Sequence, residues 1–239
     1  MAELLRTEGL TKRFQGLLAN DRVDFQLAPG ELRCVIGPNG AGKTTFISMI
    51  SGHLRPSAGN VWYQGERITD LPVTARARRG ICRKFQTPSV FDELSVLENV
   101  ELAALASASG HEVSARIARV LRLVRLDEEV HVLARNLSHG QRQWLEIGLL
   151  LANEARLLLL DEPTAGMTAE ETGATGELIR QLVAELRVSA IIIEHDINFI
   201  RRLRAPITVM HLGRVLVEGP FDEIERNAEV REVYLGVEA

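Results

Sequence analysis

Cysteine is scarce: two residues in 239, Cys34 and Cys82, with no close spacing between them. That excludes a disulfide framework and a thiolate metal cluster. Both read as small buried hydrophobes of a protein kept reduced. Long apolar runs are missing too. The longest are Ile147 to Ala152, broken by Gly148, and Leu157 to Leu160. Neither approaches the ~20 residues needed to span a bilayer. The N-terminus carries Glu3, Arg6 and Glu8 instead of an apolar core, so no signal peptide is expected. There is no basic excess. The formal net charge of -4 argues against a dedicated nucleic-acid binder. Mean hydropathy is +0.01, that of a soluble protein. No internal repeat or low-complexity segment is evident. The length allows one large or two small domains with a sizeable core.

What is present is a phosphate-binding loop. Gly37-Pro38-Asn39-Gly40-Ala41-Gly42-Lys43-Thr44 satisfies G-x-x-x-x-G-K-[ST]. The glycines let successive N–H groups turn inward and form an anion nest. The chain then enters a helix whose positive end faces the same phosphates. Lys43 adds a full charge at the β/γ-phosphates, and the Thr44 hydroxyl can ligate Mg²⁺. The pattern arises by accident in about one chain of this length in a hundred. The setting argues against accident: Leu32 to Ile36 before the loop reads as a strand, and Thr45 to Ile50 after it as a helix.

Blocks of β-type sequence flank the loop, from about Leu4 to Leu32 and from about Asn60 to Lys84. Pro29-Gly30 and Pro56-Ser57-Ala58-Gly59 are turn signals. The middle, from about Ser95 to Ala152, reads as helical. Ser95-Val96-Leu97-Glu98 is a capping box, and Val113, Ile117, Val120, Leu121 and Val124 form a helical stripe that reads as core. From Leu157 onward strand and helix alternate: Leu157–Leu160, Glu170–Leu186, Ala190–Ile193, then a β-type stretch around Ile207–Val217. This alternation predicts a parallel sheet with covering helices.

Four candidate constellations remain. Leu157 to Leu160 read as a strand buried on both faces, ending in Asp161 and Glu162. Acids at the carboxyl end of such a strand reach the nucleotide crevice. Neighbouring strand residues point oppositely, so the two should have different jobs. Asp161 would hold Mg²⁺ and Glu162 would act as general base on water. The second is Ser138 with Gln141 three residues on, an S-x-x-Q capping box ahead of an apolar helix through Trp144, Ile147, Gly148 and Leu151. It fits a well-capped helix and equally a second phosphate-receiving helix end, with the Ser138 hydroxyl and Gly140 N–H as donors. The third, His195, closes the strand Ser189 to Ile193 between Glu194 and Asp196. It is surface or core by default, and catalytic if that strand belongs to a nucleotide-binding sheet. The last is Gln86 in Phe85-Gln86-Thr87-Pro88, where Pro88 marks a linker between two bodies. It offers an acceptor to Mg²⁺ or water, and otherwise is a polar loop residue.

Taken in order, these motifs resemble the ATPase subunit of ATP-binding cassette (ABC) transporters along nearly the full chain. Gly37–Thr44 matches the Walker A loop, Leu157–Asp161 the Walker B strand, and Leu137–Gln141 the signature sequence. Gln86 matches the Q-loop, His195 the switch histidine, and Phe14 the aromatic that stacks on adenine. Two positions depart from the pattern: His139 where the signature usually has Gly, and Thr168 where the loop after Walker B usually ends in Asp. The resemblance implies an α/β fold of the P-loop NTPase class. Its sheet would be mixed and mostly parallel, with an antiparallel β subdomain. Residues 1–86 and 153–239 would form the core and 87–152 a helical signature subdomain. It implies ATP and Mg²⁺ as ligands. Nucleotide contacts would come from Phe14, from Gly37 through Thr44, from Thr45, and from Ser138, Gly140 and Gln141. Catalysis would fall to Glu162, His195 and Gln86, and the metal to Thr44, Gln86 and Asp161.

The resemblance also implies a head-to-tail dimer, a homodimer or a pair with a sister ATPase, in which Ser138 and Gly140 of one subunit close on the γ-phosphate held by Lys43 of the other. Integral membrane permease subunits, and indirectly a solute-binding protein, would be partners, with no nucleic acid. The location implied is the cytoplasmic face of the inner membrane. Within the superfamily the chain looks like importers of branched-chain amino acids, amides and urea. Gly16–Ala19, Phe85–Pro88, Ala165–Thr168 and Val233–Gly236 carry that likeness. Gln141–Gly148 with the Ala-Gly-Met-Thr loop looks closest to the urea-uptake ATPase. Ala75–Ile81 is shared with the ATPase of lipopolysaccharide export, which stands as the alternative, beside soluble cassettes that act without a transporter.

Overall fold

The computed structural model describes residues 3–84, 90–106 and 111–235. In chain order β1 (Leu5–Phe14), β2 (Leu17–Leu27) and β3 (Leu32–Ile36) precede α1 (Lys43–Ser51). β4 (Ala58–Tyr63), β5 (Glu66–Arg67), α2 (Val73–Ala77) and β6 (Ile81–Lys84) follow. The helical middle is α3 (Val96–Leu105), α4 (His111–Leu123) and α5 (His139–Ala152). Next come β7 (Leu157–Asp161), α6 (Ala169–Leu186), β8 (Ser189–Ile193), α7 (Ile197–Leu203), β9 (Ile207–His211) and β10 (Arg214–Gly219). Two short helices, α8 (Phe221–Arg226) and α9 (Ala228–Val230), close the described chain with a last turn at Arg231–Leu235.

Two sheets result. β2-β1-β4-β5 is antiparallel, and β10-β9-β3-β8-β7-β6 is parallel except for β10. The expected mixed, mostly parallel arrangement is therefore the observed one. The leucines of β7 show why. All four are buried, and strand alternation divides them: Leu158 and Leu160 enter one core, Leu157 and Leu159 the other. Each such side chain contributes about 2 kcal/mol on burial, as an upper estimate. A strand covered on both faces can carry an unbroken apolar run, which a half-exposed strand cannot. One core lies toward α3, α4 and α5, and the other between the large sheet, α1 and the antiparallel sheet. Among the described residues no helix is long and apolar enough to cross a membrane.

The helical middle forms as read. Ser95 caps α3 with Glu98 in a reciprocal capping box, and Val113, Ile117, Val120, Leu121 and Val124 are buried. Two expectations need correction. The block from about Asn60 to Lys84 is not β throughout, because α2 interrupts it after Pro72. The turn at Pro56–Gly59 ends early, because Ala58 already pairs with Thr11.

Arg76 explains α2. Its side chain is drawn inward until the residue is 1% exposed. The guanidinium donates to the Met49 and Ile50 carbonyls at 2.7 Å each, to the Thr69 carbonyl at 2.7 Å and to the Leu71 carbonyl at 3.0 Å. Met49 and Ile50 belong to the last turn of α1, whose carbonyls have no partner within the helix. A buried cation there also complements the negative end of the helix dipole. Burial lowers the Arg76 pKa to about 10, so it stays charged at neutral pH. Arg76→Met should leave three buried carbonyls and that of half-buried Leu71 without this donor and destabilise the protein by about 3 kcal/mol. A thermal melt should fall by roughly 6–12 °C for a chain of this size, and an unchanged melt would contradict this role.

Candidate active site

The loop between β3 and α1 is shaped by two close approaches. A Cβ on Gly37 would lie 2.0 Å from the Met210 carbonyl oxygen, and one on Gly42 2.3 Å from that of Ala19. Both residues also hold positive φ, 147° and 95°. Only glycine satisfies space and torsion together. Asn39, Gly40 and Thr44 face solvent, while Gly37 and Ala41 are buried beneath them. The Lys43 ammonium folds back and donates to the Gly37 carbonyl at 2.6 Å and the Pro38 carbonyl at 3.0 Å. Burial lowers its pKa, while Glu162 and Asp161 act the other way. Thr45 is half-buried on the first turn of α1.

Asp161 ends β7 and is 2% exposed. Burial raises its pKa, opposed by Arg83 and by a hydrogen bond from the Thr44 side chain. Arg83 donates to Asp161 Oδ2 at 3.3 Å and to Ser48 Oγ at 2.7 Å, and Ser48 in turn donates to the Thr44 carbonyl at 2.5 Å. A hydroxyl and a carboxylate that already touch form an oxygen donor set suited to Mg²⁺. Glu162 lies one residue past the end of β7. Its backbone sits at φ 49°, its N–H donates to the Ile193 carbonyl at 2.9 Å, and its side chain is 37% exposed. His195 Nδ1 lies 3.6 Å from Glu162 Oε1. Lys43, Thr44, Asp161, Glu162 and His195 thus meet at the carboxyl ends of β3, β7 and β8, which are neighbours in the sheet.

Ser138, Gly140 and Gln141 gather elsewhere. Ser138 caps α5, its Oγ accepting from the Gln141 N–H and its N–H donating to Gln141 Oε1. The occupant of that helix end is a carboxylate of the same chain. Glu171 Oε1 accepts from the Gly140 N–H at 3.2 Å and from Ser138 Oγ at 3.4 Å. Its Oε2 accepts from the Thr168 N–H and Oγ1, closing a second capping box on α6. These bonds, the Thr168 N–H first, hold the Glu171 carboxyl below its ordinary range. The two departures from the family pattern lie here. Thr168 is the cap of α6, and His139 Nε2 lies 2.8 Å from the Ala165 carbonyl, to which it donates. Phe14 is at the far end of β1, 40% exposed, with Lys12 Nζ 5.1 Å from its ring centre. Gln86 lies outside the described residues.

Sequence reasoning passed over three participants. Glu194 is 1% exposed and accepts from the Thr164 N–H at 3.1 Å, Thr164 Oγ1 at 2.5 Å and the His195 N–H at 3.2 Å. It fixes the turn after Glu162 to the end of β8. An acid directly behind the apolar strand Ser189 to Ile193 was its signal. Arg83 and Glu171 carried none, because each depends on a partner distant in sequence.

A lysine bent into a glycine loop after β3, with two carboxylates of different exposure two strands away at the end of β7, is the arrangement of a P-loop nucleoside-triphosphatase. Comparison with known proteins names its class: the ABC transporter model matches residues 20–165, and the chain belongs to that family, whose ATP-binding cassettes hydrolyse ATP. A second model, for the branched-chain amino acid ATP-binding cassette transporters, matches residues 214–239 and places the chain in that branch. The chain is 36% identical to the probable branched-chain amino acid transport ATP-binding protein LivG of Archaeoglobus fulgidus, over 99% of this chain and 96% of the relative. It is 34% identical to the high-affinity branched-chain amino acid transport ATP-binding protein BraF of Pseudomonas aeruginosa, over 98% of each. The lipopolysaccharide export system ATP-binding protein LptB of Acidithiobacillus ferridurans is 36% identical, over 99% of this chain and 98% of the relative. Among solved structures, an ATP-binding cassette of an ABC transporter in its ADP conformation superposes with a TM-score of 0.88 at 28% identity, covering 99% of this chain and 100% of that one.

Lys43→Ala removes the fixed charge of the loop and keeps its glycines. ATP affinity measured by titration should fall tenfold or more, about 1.4 kcal/mol per tenfold. Unchanged affinity would mean that the phosphates bind elsewhere.

Proposed function

We propose that the chain is the ATP-hydrolysing subunit that powers a membrane importer of branched-chain amino acids or related small amides, urea among them. The contact of Glu162 with His195, beside the Thr44–Asp161 pair and Lys43, carries this reading. The names of LivG and BraF and the match at residues 214–239 support the amino-acid solute. The Ala165–Thr168 loop and Gln141–Gly148 are the residues that favour urea. The same C-terminal match weighs against lipopolysaccharide export, despite the LptB likeness.

In this reading the loop N–H groups and Lys43 bind the β- and γ-phosphates, and Phe14 stacks on the adenine. Thr44 and Asp161, with Gln86, would hold Mg²⁺, which when bound neutralises the oxygens of the triphosphate. Glu162 accepts a proton from the attacking water as its oxygen bonds to the γ-phosphorus, and ADP departs with the electron pair of the broken P–O bond. His195 orients Glu162 and the water. Ser138 and Gly140 serve the nucleotide of a second copy, or of a sister ATPase, and Glu171 Oε1 must yield its place to that phosphate. A dimeric structure of a bacterial ABC transporter cassette aligns at a TM-score of 0.79 and 26% identity, covering 91% of this chain and 99% of that one, and supports the pairing. Closure is a population shift, because only the paired state contacts phosphate from both sides. In the same reading residues 1–86 and 153–239 form the nucleotide core and 87–152 the helical part. Exposed Phe91, Leu102 and Leu105 on the helical part offer an apolar surface to a permease subunit at the cytoplasmic face of the inner membrane.

Glu162→Gln keeps the shape of the side chain and removes the base. Turnover should fall by about a hundredfold or more, with ATP affinity unchanged. Hydrolysis at the wild-type rate would refute the assignment.

A further inference from the structure

β6 ends in two cations that alternation sends to opposite faces. Arg83 turns toward the nucleotide side and meets Asp161 and Ser48. Lys84 turns toward the helical side, where its Nζ lies 3.1 Å from Glu146 Oε2. Both side chains are almost wholly buried, 3% and 4% exposed. Glu146 sits on α5, the helix whose N-terminal end holds Ser138 and Gly140. Its helical neighbours Leu145 and Ile147, and Cys82 on β6, are core residues. This ion pair therefore spans a contact between the catalytic sheet and α5 that core side chains flank.

Stability does not require such a pair. Desolvating two charges offsets most of their attraction, and apolar residues of similar volume usually serve as well or better. In some proteins a buried pair fixes the register instead, since sliding either partner strands a charge in the core. Apolar packing alone tolerates small rotations of α5; the pair does not.

We propose that Lys84 and Glu146 are positioning residues that fix the angle of α5 on the sheet, and so the direction in which Ser138 and Gly140 are presented to the nucleotide of a partner subunit. The proposal rests on the shared-site dimer described above. β6 then joins the two halves of the reaction: Arg83 touches the acid of one nucleotide site, and Lys84 aims the helix that completes the other. Neither Lys84 nor Glu146 touches the reacting atoms.

The test is the double variant Lys84→Met/Glu146→Leu, compared with wild type in three measurements. Its melting temperature should equal or exceed that of wild type. ATP affinity of the monomer should stay within twofold. Dimer assembly in Mg-free ATP, followed by light scattering, should need at least tenfold more ATP or protein, and kcat should fall at least tenfold. Lys84→Arg, which keeps the charge pair, should assemble like wild type. A double variant that assembles and hydrolyses normally would overturn the inference while leaving the shared site intact. Wild-type protein that never assembles in ATP would instead defeat the dimer reading itself, and the inference with it. If the double variant melts well below wild type, Lys84→Gln/Glu146→Gln repeats the comparison without charge. Failure of that pair to fold would make the bridge a structural element and overturn the positioning role.

Discussion

The chain passes between β3 and α1 with no room for a side chain at either glycine hinge. Gly37 is pressed against the Met210 carbonyl of β9, and Gly42 against that of Ala19. The rest of the site follows from this crowding. The loop must curl, its N–H groups turn inward, and α1 begins with its positive end at the centre of the curl. β9 and β8 flank β3 in the sheet, β7 follows β8, and so Glu162 and His195 arrive beside the loop. Even the far end of α1 is held: the buried Arg76 closes on the Met49 and Ile50 carbonyls. Lys43 lies on the loop carbonyls, where an incoming phosphate would compete for it.

Much of this is legible in sequence, for local reasons. The glycine spacing of Gly37 to Thr44, the four leucines before Asp161, and the capping boxes at Ser95 and Ser138 are short-range patterns with short-range physics, and each forms as read. The parallel sheet follows from alternation of strand and helix. What was not legible depends on distant partners. α2 exists inside a block read as β because Arg76 finds the end of α1 some two dozen residues upstream. Glu194 matters because Thr164 comes to it across the sheet. Sequence set Asp161 and Glu162 apart in role, and left unseen that Arg83 sits against the first and His195 against the second.

The two departures from the family pattern are explained by one contact surface. His139 reaches the Ala165 carbonyl, and Thr168 caps α6 together with Glu171, whose other oxygen accepts from Gly140 and Ser138. Position 139 thus exchanges a bare backbone for a ring that ties α5 to the loop after Glu162. Position 168 exchanges an acid for a hydroxyl committed to its own helix. An acid is present at this surface all the same, but it is Glu171, and it faces the helix end that a phosphate would occupy. Two negative groups cannot share two donors, so in the proposed dimer assembly and displacement of Glu171 Oε1 are one event.

In the proposed dimer two helix ends, those of α1 and α5, act on one phosphate only when supplied by two chains. Ser138→Arg separates the alternatives. Arginine displaces the serine donor at α5 and adds bulk where the partner's nucleotide would dock, while the loop of its own chain is untouched. ATP affinity of the monomer should be retained, while ATP-driven assembly and hydrolysis fail together. A protein that merely loses a helix cap would be less stable by about 1 kcal/mol and would keep its activity per folded molecule. Full specific activity in a slightly destabilised Ser138→Arg variant, with melting temperature and rate measured on one sample, would contradict the shared site.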